Sequence, residues 1–313
     1  MSVQTTSREL KLRRKLLGTA SAVAALTAFQ MPGQALAADA SDSSDWHLTV
    51  DLGGQFTFNS GGKTAYYDVE PNPLVGVATN GGTGWVGVNL DTDGWIFGLN
   101  YTIGKTGTKR SSFSISYPSY PYYFANGAVT HNENHKMLDF TVGQDVGLGM
   151  LGMDGSSVLS LGVRWANFSA TTSGSFNYGN KYYSSHFEGE LHRTFNGIGP
   201  VISWAASTPI GGSGSHFSVD WGVSGAVLFG SRKYWGVPGI DLRSHNASVP
   251  QAAGYLGVGW HPEDSPVTFR LGYAIQDSWG VLDANFDVDG DETIRSADRL
   301  EHGPYLDLTL QLQ

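Results

Sequence analysis

Residues 217 to 229 read Phe217-Ser218-Val219-Asp220-Trp221-Gly222-Val223-Ser224-Gly225-Ala226-Val227-Leu228-Phe229. Every odd position except Gly225 is apolar, and most even positions are small or polar. A period of two puts the two sets on opposite faces of a β-strand. The run is longer than the roughly five to six residues of a typical globular strand. It suits a strand that crosses a bilayer at a tilt, which needs about nine to eleven. Repeated around a closed sheet, the pattern predicts a transmembrane barrel with Phe217, Trp221 and Phe229 toward lipid and Ser218, Asp220 and Ser224 toward the lumen. On that assignment Val223→Arg prevents insertion, whereas Ser224→Arg folds.

The alternation recurs along the chain. Trp46, Leu48, Val50, Leu52, Phe56 and Phe58 share a face opposite His47, Thr49, Asp51, Gln55 and Thr57. Val86, Val88 and Leu90 lead through Asp91-Thr92-Asp93-Gly94 into Trp95, Phe97, Leu99, Tyr101 and Ile103. An Asp-Gly pair between alternating runs is a hairpin signal. Further runs start at Leu138, Leu159, Ile198, Leu256, Val267 and Leu306. Long polar, Gly-rich connections alternate with short turns, as in outer-membrane barrels with short periplasmic turns and longer outer loops. The prediction is an all-β, transmembrane antiparallel up-and-down β-barrel of about ten strands, or twelve if Phe113, Ile115 and Tyr117 belong to an extra hairpin. Trp46, Trp95 and Trp260 then mark the periplasmic ends of their strands, as an aromatic girdle. Glu188, Glu190 and His192 share parity with the apolar Ile198, Ile202 and Trp204. Either they lie beyond the hydrocarbon, or a bulge near Gly197-Ile198-Gly199 switches the phase.

Composition agrees. The 313 residues include 42 glycines and no cysteine, and only 15% are charged, against about a quarter in soluble domains. Arg8, Lys11, Arg13, Arg14 and Lys15 precede the uncharged stretch Leu16 to Phe29 and the cleavage pattern Ala35-Leu36-Ala37. Residues 1–37 therefore read as a secretory signal peptide, 38–45 as a polar linker and 46–313 as the barrel domain, exported to the outer membrane. Cleavage would take the formal net charge from −9 to −13, by loss of five basic residues and one acidic residue. So acidic a chain is a poor nucleic-acid binder. The expected partners are the outer-membrane bilayer and small solutes or ions.

The inward set comprises His47, Asp51, Asn89, Asn100, Asp139, Arg164, Asp220, Arg270, Gln276 and Asp307. It reads either as a polar plug held by arginine–aspartate pairs or as a water-filled pore whose acidic excess favours cations. Inward glycines at 87, 98, 143, 162, 222 and 272 would free space within it. Asp287, Asp289, Asp291, Thr293 and Asp298 stand at positions 1, 3, 5, 7 and 12 of a dockerin-like calcium loop, with Glu292 where glycine is usual. The stretch reads either as that calcium site or as a solvated acidic loop, and no other cofactor is expected. His131, Glu133 and His135 could share one face of a strand but lack metalloprotease order, and read as exposed loop residues. No nucleophile motif appears. An omptin-type barrel enzyme using Glu188, Glu190 and His192 at the rim is the remaining catalytic option, and the expectation is that the chain is not an enzyme.

Several local motifs resemble the Legionella-type major outer-membrane porin family. They are Leu138-Asp139-Phe140 with Val142-Gly143, Gly162-Val163-Arg164-Trp165-Ala166, Phe195-Asn196-Gly197-Ile198-Gly199-Pro200, Leu271-Gly272-Tyr273 with Trp279, and His302-Gly303-Pro304-Tyr305-Leu306. The resemblance implies a pore-forming barrel of a Gram-negative bacterium, passing small solutes or ions by diffusion. Such porins often trimerise, so a homo-oligomer is among the states it implies. The alternative is a non-conducting structural or adhesin barrel acting through its outer loops. One departure is the ending Leu312-Gln313, where such barrels carry an aromatic residue.

Overall fold

Alternation in the sequence becomes strand in the computed structural model, which describes residues 46–61, 64–65, 74–75, 79–116, 124–147, 155–180, 182–211, 215–236, 243–263, 265–283 and 296–312. The expected signal peptide and linker lie outside the described residues. In chain order the strands are β1 (His47–Gly61), β2 (Thr64–Ala65), β3 (Leu74–Val75), β4 (Asn80–Thr92), β5 (Trp95–Thr106), β6 (Lys109–Ser116), β7 (Phe124–Asp145), β8 (Ser156–Gly179), β9 (Ser184–Pro209), β10 (Phe217–Trp235), β11 (Arg243–Trp260), β12 (Val267–Asp283) and β13 (Ser296–Leu312). Neighbouring long strands pair antiparallel, β13 pairs with β1, and β5 pairs with β7, which closes a ring of ten. β6 is not an eleventh stave. It prolongs β5 along β7, with Lys105 opposite Asn134 and Lys109 opposite His131. Phe113 and Ile115 fall on β6, so they do not make a barrel of twelve. β2 and β3 pair only with each other, between β1 and β4.

The tightest connection is the one most legible in sequence. Asp93 and Gly94 join β4 to β5 with φ of 51° and 77°. Two left-handed central residues are what a type I′ hairpin requires, and Asp and Gly both tolerate that conformation.

Sidedness follows the period of two. Leu52, Leu161, Leu256, Leu271 and Leu306 are each 58–64% exposed on the outer wall. A continuous exposed apolar wall is stable only against lipid, so the barrel spans a membrane. Trp46, Trp95 and Trp260 lie at the short-turn end, all exposed. In the opening stretch Phe217 and Phe229 face out, while Asp220 and Ser224 are buried within.

Two expectations change. The long connections are mostly strand: β8 and β9 run 24 and 26 residues and meet across a few residues near Tyr182. Beyond Asn167 and Asn196 they rise together with β7, which stays paired to β8 as far as Phe124↔Gly179 and carries β6 on its other edge. No bulge switches phase at Gly197-Ile198-Gly199. The β8–β9 register is unbroken from Ser156↔Ser207 to Gly179↔Ser184, so Glu188, Glu190 and His192 stand beyond the apolar belt on the outward side. The one register shift on β12 lies between Ser278 and Leu282.

Candidate functional site

The inward faces build the site. Ten strands leave little more room than the eight whose interior side chains just fill, and here that room is occupied in layers. Near the short-turn end Arg270 on β12 sits at the centre. Its Nη1 donates to Asp307 Oδ1 at 2.8 Å and to Thr309 Oγ1 at 2.7 Å, and its Nε lies 3.4 Å from Asp220 Oδ2. Trp85 donates its indole N–H to Asp307 Oδ2 at 3.0 Å. Asp51 accepts from Asn89 at 2.8 Å and from the Thr309 hydroxyl. Five strands thus meet in one buried network, which fits the guanidinium's preference for planar, charge-assisted pairing.

Above it lie three rings. Tyr305 contacts Trp85 and Tyr255 edge-on, each at a centroid distance of 6.2 Å. Two of the glycines expected to open the lumen, Gly222 and Gly272, together with Gly53, let these rings lie close against the wall. A Cβ on Gly222 would stand 2.4 Å from the Tyr255 ring, one on Gly53 would meet Trp85, and one on Gly272 would meet Tyr305. The freed volume holds aromatics rather than water.

Next comes a bidentate pair in which Arg164 Nε and Nη2 donate to Asp139 at 2.8 and 2.7 Å. Arg164 Nη1 also reaches Gln251, which donates to Ser278. A cavity of about 20 Å³ beside Gln55, Asn100, Asp139, Arg164, Tyr255 and Gln276 has room for about one water. Around the next level Phe168, Phe195, Leu228 and Val249 are buried in an apolar cluster.

The outermost layer departs most from expectation. His131, Glu133 and His135 are not exposed loop residues; they point into the barrel from β7, each at most 6% exposed. Two Arg299 nitrogens donate to the Glu133 carboxylate, and His131 Nε2 lies 2.7 Å from it. His131 Nδ1 meets Thr172 Oγ1 at 2.7 Å, and Arg193 donates to the same hydroxyl. This layer lies beyond the apolar belt. Burial works to raise the Glu133 pKa, but the Arg299 charge and the bonds from His131 and Arg299 outweigh it and hold the group at about 2. His135 pairs with Glu301 at 3.3 Å, and Asp283 with Arg232 and His245 at 3.5 and 3.4 Å.

Of the sequence-derived lumen set, Asp51, Asp139, Arg164, Asp220, Arg270 and Asp307 are buried in these layers. His47 has lumen parity but is exposed at the start of β1. The acidic excess of the chain is not concentrated here: the buried carboxylates face arginines at every level. Asp287, Asp289, Asp291 and Thr293 of the calcium loop lie outside the described residues. Asp298 is on β13, where its Oδ1 accepts from the Gly280 N–H at 2.6 Å. Trp85, Tyr255 and Tyr305 escaped the sequence reading because each stands on the face opposite the apolar series it interrupts.

No family model matches the chain, and no curated protein matches it. Among solved structures, the translocator domain of autotransporter NalP from Neisseria meningitidis aligns at 11% identity and a TM-score of 0.38, over 98% of this chain and 97% of that one. A major outer membrane protein from Thermus thermophilus aligns at 13% and 0.34, over 86% and 100%. The Pseudomonas putida toluene transporter TodX aligns at 8% and 0.26, over 84% and 89%. All three are outer-membrane proteins, too distant from this chain for any of their activities to be carried over to it.

Proposed function

We propose that this chain is an outer-membrane barrel whose lumen is shut at rest and which acts through the strands it raises above the membrane. The observation that carries this reading is the set of buried arginine pairs that fill the lumen layer by layer: Arg270 with Asp307, Arg164 with Asp139, Arg299 with Glu133. Arg299 reaches across the lumen from β13 to Glu133 on β7. Arg270 with Asp307 and Arg164 with Asp139 pair across adjacent strands, and Arg164 reaches on to Gln251 on β11. Stacked in layers, these side chains leave a solute no continuous aqueous lining. The raised part is distinctive. From Asn167 to Gly179 the β8–β9 extension offers about 40 Å of strand at roughly 3.3 Å per residue. Near its tip Phe176 packs on Phe187 at 5.0 Å, with Tyr182 and Tyr183 exposed. Aromatic residues on a rigid projection are good contact material, since they offer large area for little lost freedom. Glu188, Glu190 and His192 sit on its outer face without a cleft, and we assign them no catalytic role.

The second reading is the passive pore for small solutes or ions suggested by the porin resemblance. It is favoured by the ion-paired layers of the plug, which can rearrange without exposing apolar surface. Single-channel recording in planar bilayers separates the two. The closed reading expects no conductance steps from the folded wild type, and regular steps would establish the pore instead.

A further inference from the structure

On the outer wall, across β8 to β11, lies a hollow of about 940 Å³. Its floor is the backbone of Gly230 and Ala247, which face each other across β10 and β11. Asn167, Asn196, Ser231 and Asn246 line it in direct register on four adjacent strands, with Lys136 opposite Asn167 one strand further. This polar row follows directly on the apolar belt: Trp165, Ile198 and Phe229 are the last large outward apolar residues below it. Trp165 donates its indole N–H to Asn196 Oδ1 at 3.0 Å. The hollow therefore sits at the depth where lipid headgroups meet hydrocarbon.

Its chemistry is mixed in a specific way. Phe229 closes the membrane side. Trp235 closes the outer side, stacked on His192 at 5.2 Å and 20° and still 37% exposed. Asn196, Asn246, Thr194, Ser231 and Ser248 supply amides and hydroxyls between them, and Lys233 supplies a charge. Amides with an aromatic plate suit a sugar ring; an ammonium suits a phosphate. Glu190, the nearest carboxylate on β9, is four residues beyond Thr194, about 13 Å along the strand. The placing of cations points the same way. Arg164, Arg193, Arg232, Arg270 and Arg299 serve the lumen, whereas Lys105, Lys136 and Lys233 are exposed on the outer wall at this level. In so acidic a chain an outward lysine belt at headgroup depth complements an anionic leaflet.

We propose that this hollow binds the phosphorylated sugar headgroup of a glycolipid in the surrounding leaflet, with Lys233 on the phosphate and Trp235 against the sugar. The proposal does not depend on whether the lumen conducts. The test uses the full chain in phosphatidylcholine nanodiscs doped with either a synthetic diphosphorylated, acylated glucosamine disaccharide or phosphatidylglycerol, with bound lipid read by native mass spectrometry. The glycolipid is expected to be retained over phosphatidylglycerol. Lys233→Ala and Trp235→Ala should each cut that retention about tenfold, the scale of one charge-assisted hydrogen bond. Lys105→Ala, outside the hollow, should leave it unchanged, and circular dichroism should show all variants folded. Equal retention of the two lipids, or an equal loss with Lys105→Ala, would reduce the effect to diffuse charge and overturn the proposal. Full competition by the deacylated sugar phosphate would overturn the lipid as the source.

Discussion

At the scale of single residues, the lumen sets up a contest between small wall positions and large rings. Gly222→Ala drives a methyl into the Tyr255 ring, and overpacking of this kind costs about 1–3 kcal/mol. Combined with Tyr255→Ala the cost should fall well short of the sum, which a double-mutant cycle in urea unfolding from lipid vesicles would measure. The charged pairs predict a different pattern. Arg299→Leu strands Glu133 without its counter-charge and should cost about 3–5 kcal/mol. Glu133 also sets a pH dependence. Its folded pKa is depressed to about 2 from a usual 4.5, so its contribution is full above the unfolded value and is lost as pH falls through the folded one. Unfolding midpoints should hold steady down to about pH 5 and then drop, and Glu133→Gln should flatten that acid limb. Ser224→Arg no longer belongs with the tolerated changes. Ser224 is fully buried in a filled lumen, so both it and Val223→Arg should impair folding, the latter by about 2–4 kcal/mol through lipid exposure of the charge.

Among the strands, what the sequence revealed and what it hid have one cause. Where one face meets lipid and the other a polar lumen, alternation is plain, and the apolar belt with most of its inward partners could be read directly. Above the belt both faces meet polar surroundings. Asn132, Asn134 and Lys136 flank His131, Glu133 and His135, so β7 there shows no period and looks like loop. The same loss of contrast hid the upper halves of β8 and β9. The tip, residues 175–188, is different: apart from Gly179 none of its described residues is buried, and it is held to β7 by backbone pairing, which makes it separable. Replacing residues 175–188 by a two-residue turn should leave the barrel able to insert, with heat-modifiable gel mobility and strand content per residue unchanged. Loss of insertion would mean that the extension helps assemble the barrel.

For the whole molecule, the proposed reading makes a narrow ring filled with matched charge an insulated post rather than a conduit, with the outer wall and the raised strands as its working surfaces. Arg270→Ser with Asp307→Ser removes the lowest buried ion pair, leaving Asp220 without the guanidinium 3.4 Å away, and on the closed reading is expected to admit brief conductance where the wild type is silent. Silence from both would place the block in the layers above.

The closing seam between β1 and β13 shows what else the plug does. Asp51 faces Thr309 across that seam, and Asp307 is tied there to Arg270 and Trp85. When first and last strands meet, a slip of two residues keeps every apolar side chain outside, so lipid cannot detect the error. The lumen can, because the slip would carry Asp51 away from Thr309, in one direction straight against a second carboxylate, Asp307. The plug is thus a ruler: it proofreads the alignment on which the barrel closes.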